Sequence, residues 1–127
     1  MAIDLYYIEK TTGTNHDGDA WIGYITKSKT GKTVYFNNKA FHKSGLGYYH
    51  DIETGEGYWI SRIKKNGEDR HWAGHGIIMI DKKAVREYMK FRKLTELKAS
   101  QYAIVDIVET KTPKDFYEIE NKRNTEN

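Results

Sequence analysis

The sequence predicts an α+β fold that is predominantly antiparallel β, either a small curled sheet or an SH3-like or OB-like barrel. One amphipathic helix and a short C-terminal helical turn complete it. Three observations predict this class. Three Trp, ten Tyr and four Phe occur in 127 residues, and aromatic side chains suit a half-buried pleated surface. Glycine and asparagine turn signals separate short apolar segments. The only proline is Pro113, so no proline interrupts the predicted strands. The length suits a single domain, which we place at residues 1–120, with a frayed tail over 121–127.

The first half of the chain predicts consecutive β-hairpins. Residues 3–9 form the first strand, and a polar loop over 11–19 follows it. A strand over 21–27 alternates its faces, with one face formed by Trp21, Gly23 and Ile25 and the other by Ile22, Tyr24 and Thr26. Turns are predicted at 28–31 and at Asn37–Asn38, with strands over 33–36 and 39–43. Such short connections favour a meandering sheet that curls and hides its edges.

A further hairpin is predicted over 58–72. Asn66–Gly67 is the dipeptide preferred in type I′ turns, in which both central residues have positive φ. A two-residue turn there places Lys65 opposite Glu68 and Lys64 opposite Asp69. Both cross-strand pairs join opposite charges, which supports this register.

The second half of the chain is predicted to form a strand, a helix and a further strand, in that order. Residues 77–80 read as a buried strand, and Asp81 is placed to cap a helix over about 82–93. The helix face that docks on the sheet consists of Val85, Tyr88, Met89 and Arg92. A strand over 102–108 follows, and Thr112–Pro113 with an acid at 115 predicts the start of the short C-terminal helical turn.

Composition limits the classes of function. The chain has no cysteine, so it forms no disulfide and no thiolate metal site. No segment resembles a secretory signal or a membrane span, which predicts a cytoplasmic protein without membrane association. We expect no cofactor.

Basic residues suggest a surface for nucleic acid. Residues 26–43 contain five lysines and no acid, and the net charge is +3. The residues predicted to contact phosphates are Lys83, Arg86, Lys90 and Lys93 on one helix face, with Lys29 and Lys32 in the preceding hairpin. Reversing Lys83, Arg86 and Lys90 to glutamate is expected to abolish such binding and leave the fold intact.

A second candidate site is a ligand cluster formed by Arg70, His71 and Trp72, which would engage a base or a peptide. The sequence therefore predicts a small binding module with weak affinity for nucleic acid. The alternative is a protein- or peptide-interaction module, in which Tyr48–Tyr49 and Tyr58–Trp59 form an exposed aromatic patch. We assign no catalytic residue, and the oligomeric state stays open.

One segment resembles a phosphate-binding loop and another resembles a calcium-binding loop, but each lacks residues or elements that such a loop needs. Thr30-Gly31-Lys32-Thr33 lacks the upstream glycine of a P-loop and precedes a strand rather than a helix. The oxygen-rich segment 15–19 lacks the glycine and the final glutamate of an EF-hand loop.

Two other chemistries have weaker support than binding. A metal site would need His71 and His75 to converge with His50, and in a strand the first two lie ~13 Å apart unless the chain bends. A hydrolase would need Ser61 beside His71, together with an orienting group and an oxyanion site. A small hydrolase and a metal-binding protein remain as lesser alternatives.

Four segments, 51–55, 58–61, 64–67 and 69–74, carry a resemblance. They read Asp-Ile-Glu-Thr-Gly, Tyr-Trp-Ile-Ser, Lys-Lys-Asn-Gly and Asp-Arg-His-Trp-Ala-Gly. Over residues 5–90 the chain resembles a set of short, uncharacterised bacterial proteins of unknown function, some of which carry the name deoxyxylulose-phosphate synthase. A thiamine-diphosphate enzyme needs a Gly-Asp-Gly metal motif within large α/β domains, and this chain has neither. The resemblance implies a bacterial origin and a compact domain, and it provides no catalytic residue.

Overall fold

The computed structural model describes residues 4–71 and 74–125, with side chains as far as Lys122. It is a mixed α+β fold, as predicted. The strands are β1 (Leu5–Lys10), β2 (Ala20–Tyr24), β3 (Thr26–Lys27), β4 (Thr33–Phe36), β5 (Lys39–Gly45), β6 (Tyr48–Asp51), β7 (Gly57–Arg62), β8 (Ile78–Asp81) and β9 (Tyr102–Val105). A 3₁₀ turn (Lys82–Ala84) leads into α1 (Val85–Arg92), and α2 (Pro113–Thr125) follows β9. Within the described residues, neither helix has the length and apolar character needed to cross a membrane.

The strands form one sheet that curls into a half-barrel. Their order is β3-β4-β5-β6-β7-β1-β2-β8-β9. Strand β3 lies at one edge of the sheet, and β2 is the seventh strand in the order. Only Ile25 separates the two along the chain, so β3 continues directly from β2. The sheet must therefore bend back on itself. The Trp21 and Phe36 rings meet across the bend with centroids 6.5 Å apart, and Lys27 Nζ donates to the Tyr6 hydroxyl at 3.0 Å. The predicted curled sheet is confirmed.

Strand β1 is buried on both faces, because the barrel encloses one face and other elements cover the other. Tyr6 and Ile8 belong to the cluster inside the barrel, with Phe36, Phe41 and Tyr58. The opposite face carries a second cluster of apolar side chains, which contains Leu5, Tyr7, Ile22, Ile80 and Tyr88. A strand with two covered faces is expected to be continuously apolar, and residues 5–8 are.

The β8–α1–β9 segment departs from the antiparallel prediction. Strand β8 pairs in parallel with both β2 and β9. For β8 and β9 the reason is local, because the helix between them returns the chain in the same direction. The predicted cap is confirmed, because the Asp81 carboxylate accepts the Lys83 amide at 3.1 Å. Tyr88 anchors α1, with its hydroxyl 3.2 Å from that of Tyr102.

The hairpin predicted over 58–72 is wrong. Strand β7 pairs with β1 on one side and β6 on the other, so neither edge is left for residues 64–71. These residues form a loop that closes when the Lys64 amide donates to Asp69 Oδ1 at 2.7 Å. The turn with two consecutive positive φ values is instead Asn37–Asn38, at 51° and 58°, between β4 and β5.

Helix α2 begins as predicted and extends further. Thr112 and Asp115 form a reciprocal cap, in which the Thr112 amide donates to Asp115 Oδ2 at 2.7 Å and the Asp115 amide donates to Thr112 Oγ1 at 3.3 Å. Phe116 is buried against Ala40 and Ile52. The helix continues to Thr125, so the tail predicted over 121–127 is helical through 125.

Candidate ligand-binding cavity

A cavity of about 350 Å³ lies on the outer face of β1, β7 and β6, beneath the loops 11–19 and 63–71. We call it the aromatic cavity. Its lining includes four ring-bearing side chains, His16, Tyr48, Trp59 and His71. Glu9, Ser61, Arg62, Lys64 and Asp69 add polar and charged groups. A cavity that combines apolar surface with a few convergent polar groups is the default place to look for a ligand site.

Strand pairing positions the indole of Trp59. Trp59 stands opposite Glu9 on β1 and opposite Tyr48 on β6, so the three side chains share a face of the sheet. The Trp59 and Tyr48 rings meet edge to face with centroids 5.1 Å apart, and Trp59 Nε1 donates to Ser61 Oγ at 3.0 Å. Gly47 has φ +79°, and a Cβ there would lie 2.6 Å from the indole. The backbone at 47 therefore packs directly against the ring and fixes it.

Two histidines from separate loops stack at the cavity wall. The His16 and His71 rings lie with centroids 3.9 Å apart and planes 14° apart. Arg70 ties these loops together, because its Nη1 donates to the carbonyls of His16 at 2.9 Å and Gly18 at 3.0 Å. Gly74 also touches this backbone, since a Cβ there would lie 2.0 Å from the His16 carbonyl oxygen.

The buried carboxylate of Glu9 is already engaged. Its Oε1 accepts the Tyr7 hydroxyl at 2.5 Å and lies 3.9 Å from Arg70 Nη1. Burial raises the pKa of Tyr7, and the hydrogen bond to Glu9 and its negative charge raise that pKa further. Tyr7 therefore stays protonated and donates to Glu9, whose side chain is 7% exposed.

The second buried carboxylate, Asp69, keeps an unused acceptor. Its Oδ1 accepts the Lys64 amide, while Oδ2 is buried and has no partner among the described residues. Burial raises the pKa of Asp69, opposed by the Lys64 amide hydrogen bond and by the charges of Arg92 and Lys64. Asp69 thus lines the cavity and carries a desolvated oxygen that no described donor satisfies.

The predicted ligand cluster lies at this cavity in part. Arg70 clamps its loops and His71 lines it, whereas Trp72 lies outside the described residues. The pairing expected to bring Ser61 to His71 does not form, because Ser61 stands opposite Tyr7. Both nevertheless line the cavity, since the 63–71 loop folds back over β7.

The histidines predicted as possible metal ligands are spread over separate places. His50 lies beside His42, with ring centroids 5.7 Å apart across β5 and β6. His71 stacks on His16, and His75 lines a different cavity. In residues 4–71 and 74–125, no group of three His, Asp or Glu side chains is arranged to hold a metal ion.

The predicted phosphate-contacting bases occupy separate elements. Lys83 has a structural contact, because its Nζ donates to the Ile107 carbonyl at 2.6 Å and lies 3.4 Å from Asp81 Oδ1. The other helix bases are exposed, namely Arg86, Lys90 and Lys93. Lys29 and Lys32 are exposed in the β3–β4 turn, and in the described part of the chain no hydrogen bond or ion pair joins them to α1.

Sequence reasoning missed Glu9, His16 and Asp69 as site residues. Glu9 directly follows the apolar segment 5–8. A carboxylate in that position lies at the end of a buried strand. Asp69, Arg70 and His71 are successive ionisable residues, and such a group in the sequence indicates a candidate site. Their grouping depends on the β1–β7 pairing, which no local pattern specifies.

Comparisons with known proteins give no indication of function, so the function is argued from the geometry of the cavity. No family model matches the sequence, and no curated protein or solved structure is significantly similar to it.

Proposed function

We propose that the protein is a small nucleic-acid-binding module that takes an unpaired nucleobase in the aromatic cavity. The observation that carries the proposal is that Asp69, whose buried Oδ2 has no described partner, lines a cavity together with Trp59 and His71. Proteins recognise single-stranded nucleic acid by stacking splayed bases on aromatic rings and by hydrogen bonding to their edges. A carboxylate accepts from the exocyclic amino group of a base, so a base bearing such a group fits this site.

The charge around the cavity supports the same ligand. Arg62 and Lys64 line the cavity and are exposed, and both carry charges suited to phosphates on either side of a bound base. The net charge of +3 adds a general attraction for polyanions.

Binding is favoured over catalysis because two of the reactive groups at the cavity, Glu9 and Ser61, are engaged within the fold. Glu9 accepts the Tyr7 hydroxyl, and Ser61 Oγ accepts the Trp59 indole N–H. A general base or nucleophile needs those atoms for the substrate.

Fluorescence anisotropy with short labelled single- and double-stranded DNA and RNA, at about 50 and 200 mM salt, tests the proposal. Single strands are expected to bind better than duplexes, with affinity that falls as salt rises. Tyr48→Ala is the main variant, because Tyr48 is 57% exposed and its loss spares the core. Loss of one stacking ring is expected to weaken binding roughly 5- to 150-fold, from about 1–3 kcal/mol per stacked base.

Two controls separate the cavity from the basic helix. Tyr117→Ala removes an equally exposed tyrosine from α2 and should leave binding unchanged. Arg86→Glu with Lys90→Glu reverses the exposed α1 charges and omits Lys83 because of its contact with Ile107. If this pair abolishes binding and Tyr48→Ala does not weaken it, the helix is the site. Absence of binding at 50 mM salt would refute the proposal.

The outermost strand favours a second candidate, a peptide-binding module. Strand β9 ends the sheet order, and its Ile104 is 58% exposed. An edge strand with an exposed aliphatic side chain can accept an added peptide strand. Peptides selected from a displayed library should lose affinity for Ile104→Lys, and unchanged affinity would exclude this edge.

A further inference from the structure

A second cavity, of about 510 Å³, lies on the other side of the loop that carries Asp69 and Arg70. We call it the arginine cavity. Arg70 and Arg92 both line it, with His75, Gly76, Gln101 and Tyr102 among the other residues. Its described lining contains no Asp or Glu.

Arg70 brings unsatisfied donors to this wall. Its side chain is 8% exposed, and its Nη1 is used by the carbonyls of His16 and Gly18. Its Nε and Nη2 are buried and donate to no acceptor among the described residues. A Cβ on Gly76 would lie 3.4 Å from Nη2, so the guanidinium packs against the glycine backbone that lines the cavity.

Arg92 is held in place by neutral partners. Its Nη1 donates to the hydroxyls of Tyr88 at 2.7 Å and Tyr102 at 2.9 Å. Its Nε is buried without a described acceptor. A Cβ on Gly67 would lie 2.2 Å from Arg92 Nη1, so the guanidinium packs directly against the Gly67 backbone. The two tyrosines orient the cation and do not neutralise it.

The acids near these arginines face the other cavity. Glu9 and Asp69 line the aromatic cavity, whereas Arg70 and Arg92 line the arginine cavity. Buried, charged N–H groups without acceptors are costly to leave unsatisfied. Guanidinium groups match the spacing of oxygens in a phosphate and bind them with paired hydrogen bonds.

We propose that the arginine cavity binds a phosphate monoester through the free N–H groups of Arg70 and Arg92. The two guanidinium groups attract an anion, although Arg70 Nη1 also lies 3.9 Å from Glu9 Oε1, and exposed His75 adds a further donor at the cavity lining. The phosphate belongs either to a small metabolite or to the end of a nucleic-acid strand. The proposal does not depend on a base entering the aromatic cavity.

Thermal unfolding in increasing inorganic phosphate, at constant ionic strength, tests this proposal. The wild-type midpoint is expected to rise and saturate, because a ligand that binds only the folded state stabilises it. Arg92→Met is expected to weaken phosphate binding roughly tenfold or more, the scale of a charge-assisted pair. Arg86→Met is the matched control, because Arg86 lies on the same helix and is exposed.

A direct readout covers the case in which Arg92→Met does not fold. The Nε–H resonances of Arg70 and Arg92 in the wild-type protein should shift on addition of phosphate, with Arg86 unchanged. A midpoint that rises equally in Arg92→Met, or arginine resonances that do not move, would overturn the proposal.

The same assays identify the source of the phosphate. Glycerol phosphate that binds as well as a 5′-phosphorylated oligonucleotide indicates a small metabolite. A phosphorylated oligonucleotide that binds more tightly than its unphosphorylated form, and loses this advantage in Arg92→Met, indicates a strand end. Phosphate binding should persist in Tyr48→Ala, so failure of nucleobase binding and failure of this site are distinguishable.

Discussion

Gly23→Ala tests the curl of the sheet. Gly23 is buried in β2 opposite Tyr6, and a side chain at this position would point to the interior of the barrel. A Cβ there would lie 2.7 Å from Phe36 Cε1 and 3.2 Å from Cζ, on the far side of the bend. The methyl group therefore displaces the Phe36 ring or the β2 backbone at the point where the sheet closes.

The expected cost follows from two opposing effects. Overpacking a core by one methyl group costs about 1–3 kcal/mol, because neighbouring side chains leave their preferred rotamers. Alanine also restricts the unfolded chain more than glycine does, which returns about 0.4–1 kcal/mol. We expect a net loss of about 1–2 kcal/mol, which lowers the urea midpoint by roughly 0.5–1 M at a slope of about 2 kcal/mol/M.

Urea unfolding followed by tryptophan fluorescence and circular dichroism measures this loss. Gly45→Ala is the matched control, because its Cβ would meet Tyr48 only at ordinary contact distances, from 3.7 Å. In a Phe36→Leu background the cost of Gly23→Ala should fall, since the opposing ring is gone and contacting residues couple. An unchanged midpoint for Gly23→Ala, or an undiminished cost in that background, would refute the proposed closure.

Three further substitutions test the loops. Asn38→Ala is expected to cost about 1–2 kcal/mol in urea unfolding, because it loses a residue tolerant of φ 58° and the bond from Asn38 Nδ2 to the Val108 carbonyl. Asn66→Ala should lower the free energy of unfolding by less than Asn38→Ala does. A larger loss in Asn66→Ala would instead support the hairpin predicted over 58–72. Asp69→Asn is expected to raise stability at pH 7, because burial raises the folded-state pKa of Asp69 above its unfolded value. Ionised Asp69 then opposes folding in full above the raised pKa. This penalty declines as the pH falls through the raised pKa and is gone below the unfolded-state pKa. The advantage of Asp69→Asn should therefore shrink on acidification, and an advantage that grows in acid would contradict this reasoning.

Local chemistry was enough to predict several elements from the sequence. The Asp81 cap, the start of α2 at Pro113 and the alternation of β2 each depend on residues within one or two turns or along one strand. The helix spacing also placed Arg92 on the docking face, where it now meets Tyr102. Such features need no knowledge of distant partners.

The missed features depend on partners far along the chain. The Asn66–Gly67 dipeptide has the composition of a tight hairpin turn, yet β7 already has both edges paired and Asp69 closes the loop instead. The parallel pairing of β8 was available in principle, because a helix separates it from β9. The aromatic cavity was only half predicted, since Glu9 and Asp69 meet through strand pairing and loop closure rather than through sequence spacing.

The double burial of β1 has a consequence for synthesis of the chain. A nascent chain emerges from its N-terminus, so residues 5–8 leave the ribosome before β7 and Tyr88 exist to cover them. At about 5–20 residues per second, the 81 residues from Tyr7 to Tyr88 take roughly 4–16 s to translate. During that interval an apolar hairpin stays accessible to chaperones and to other nascent chains. Strand β1 is thus made well before the side chains that cover it.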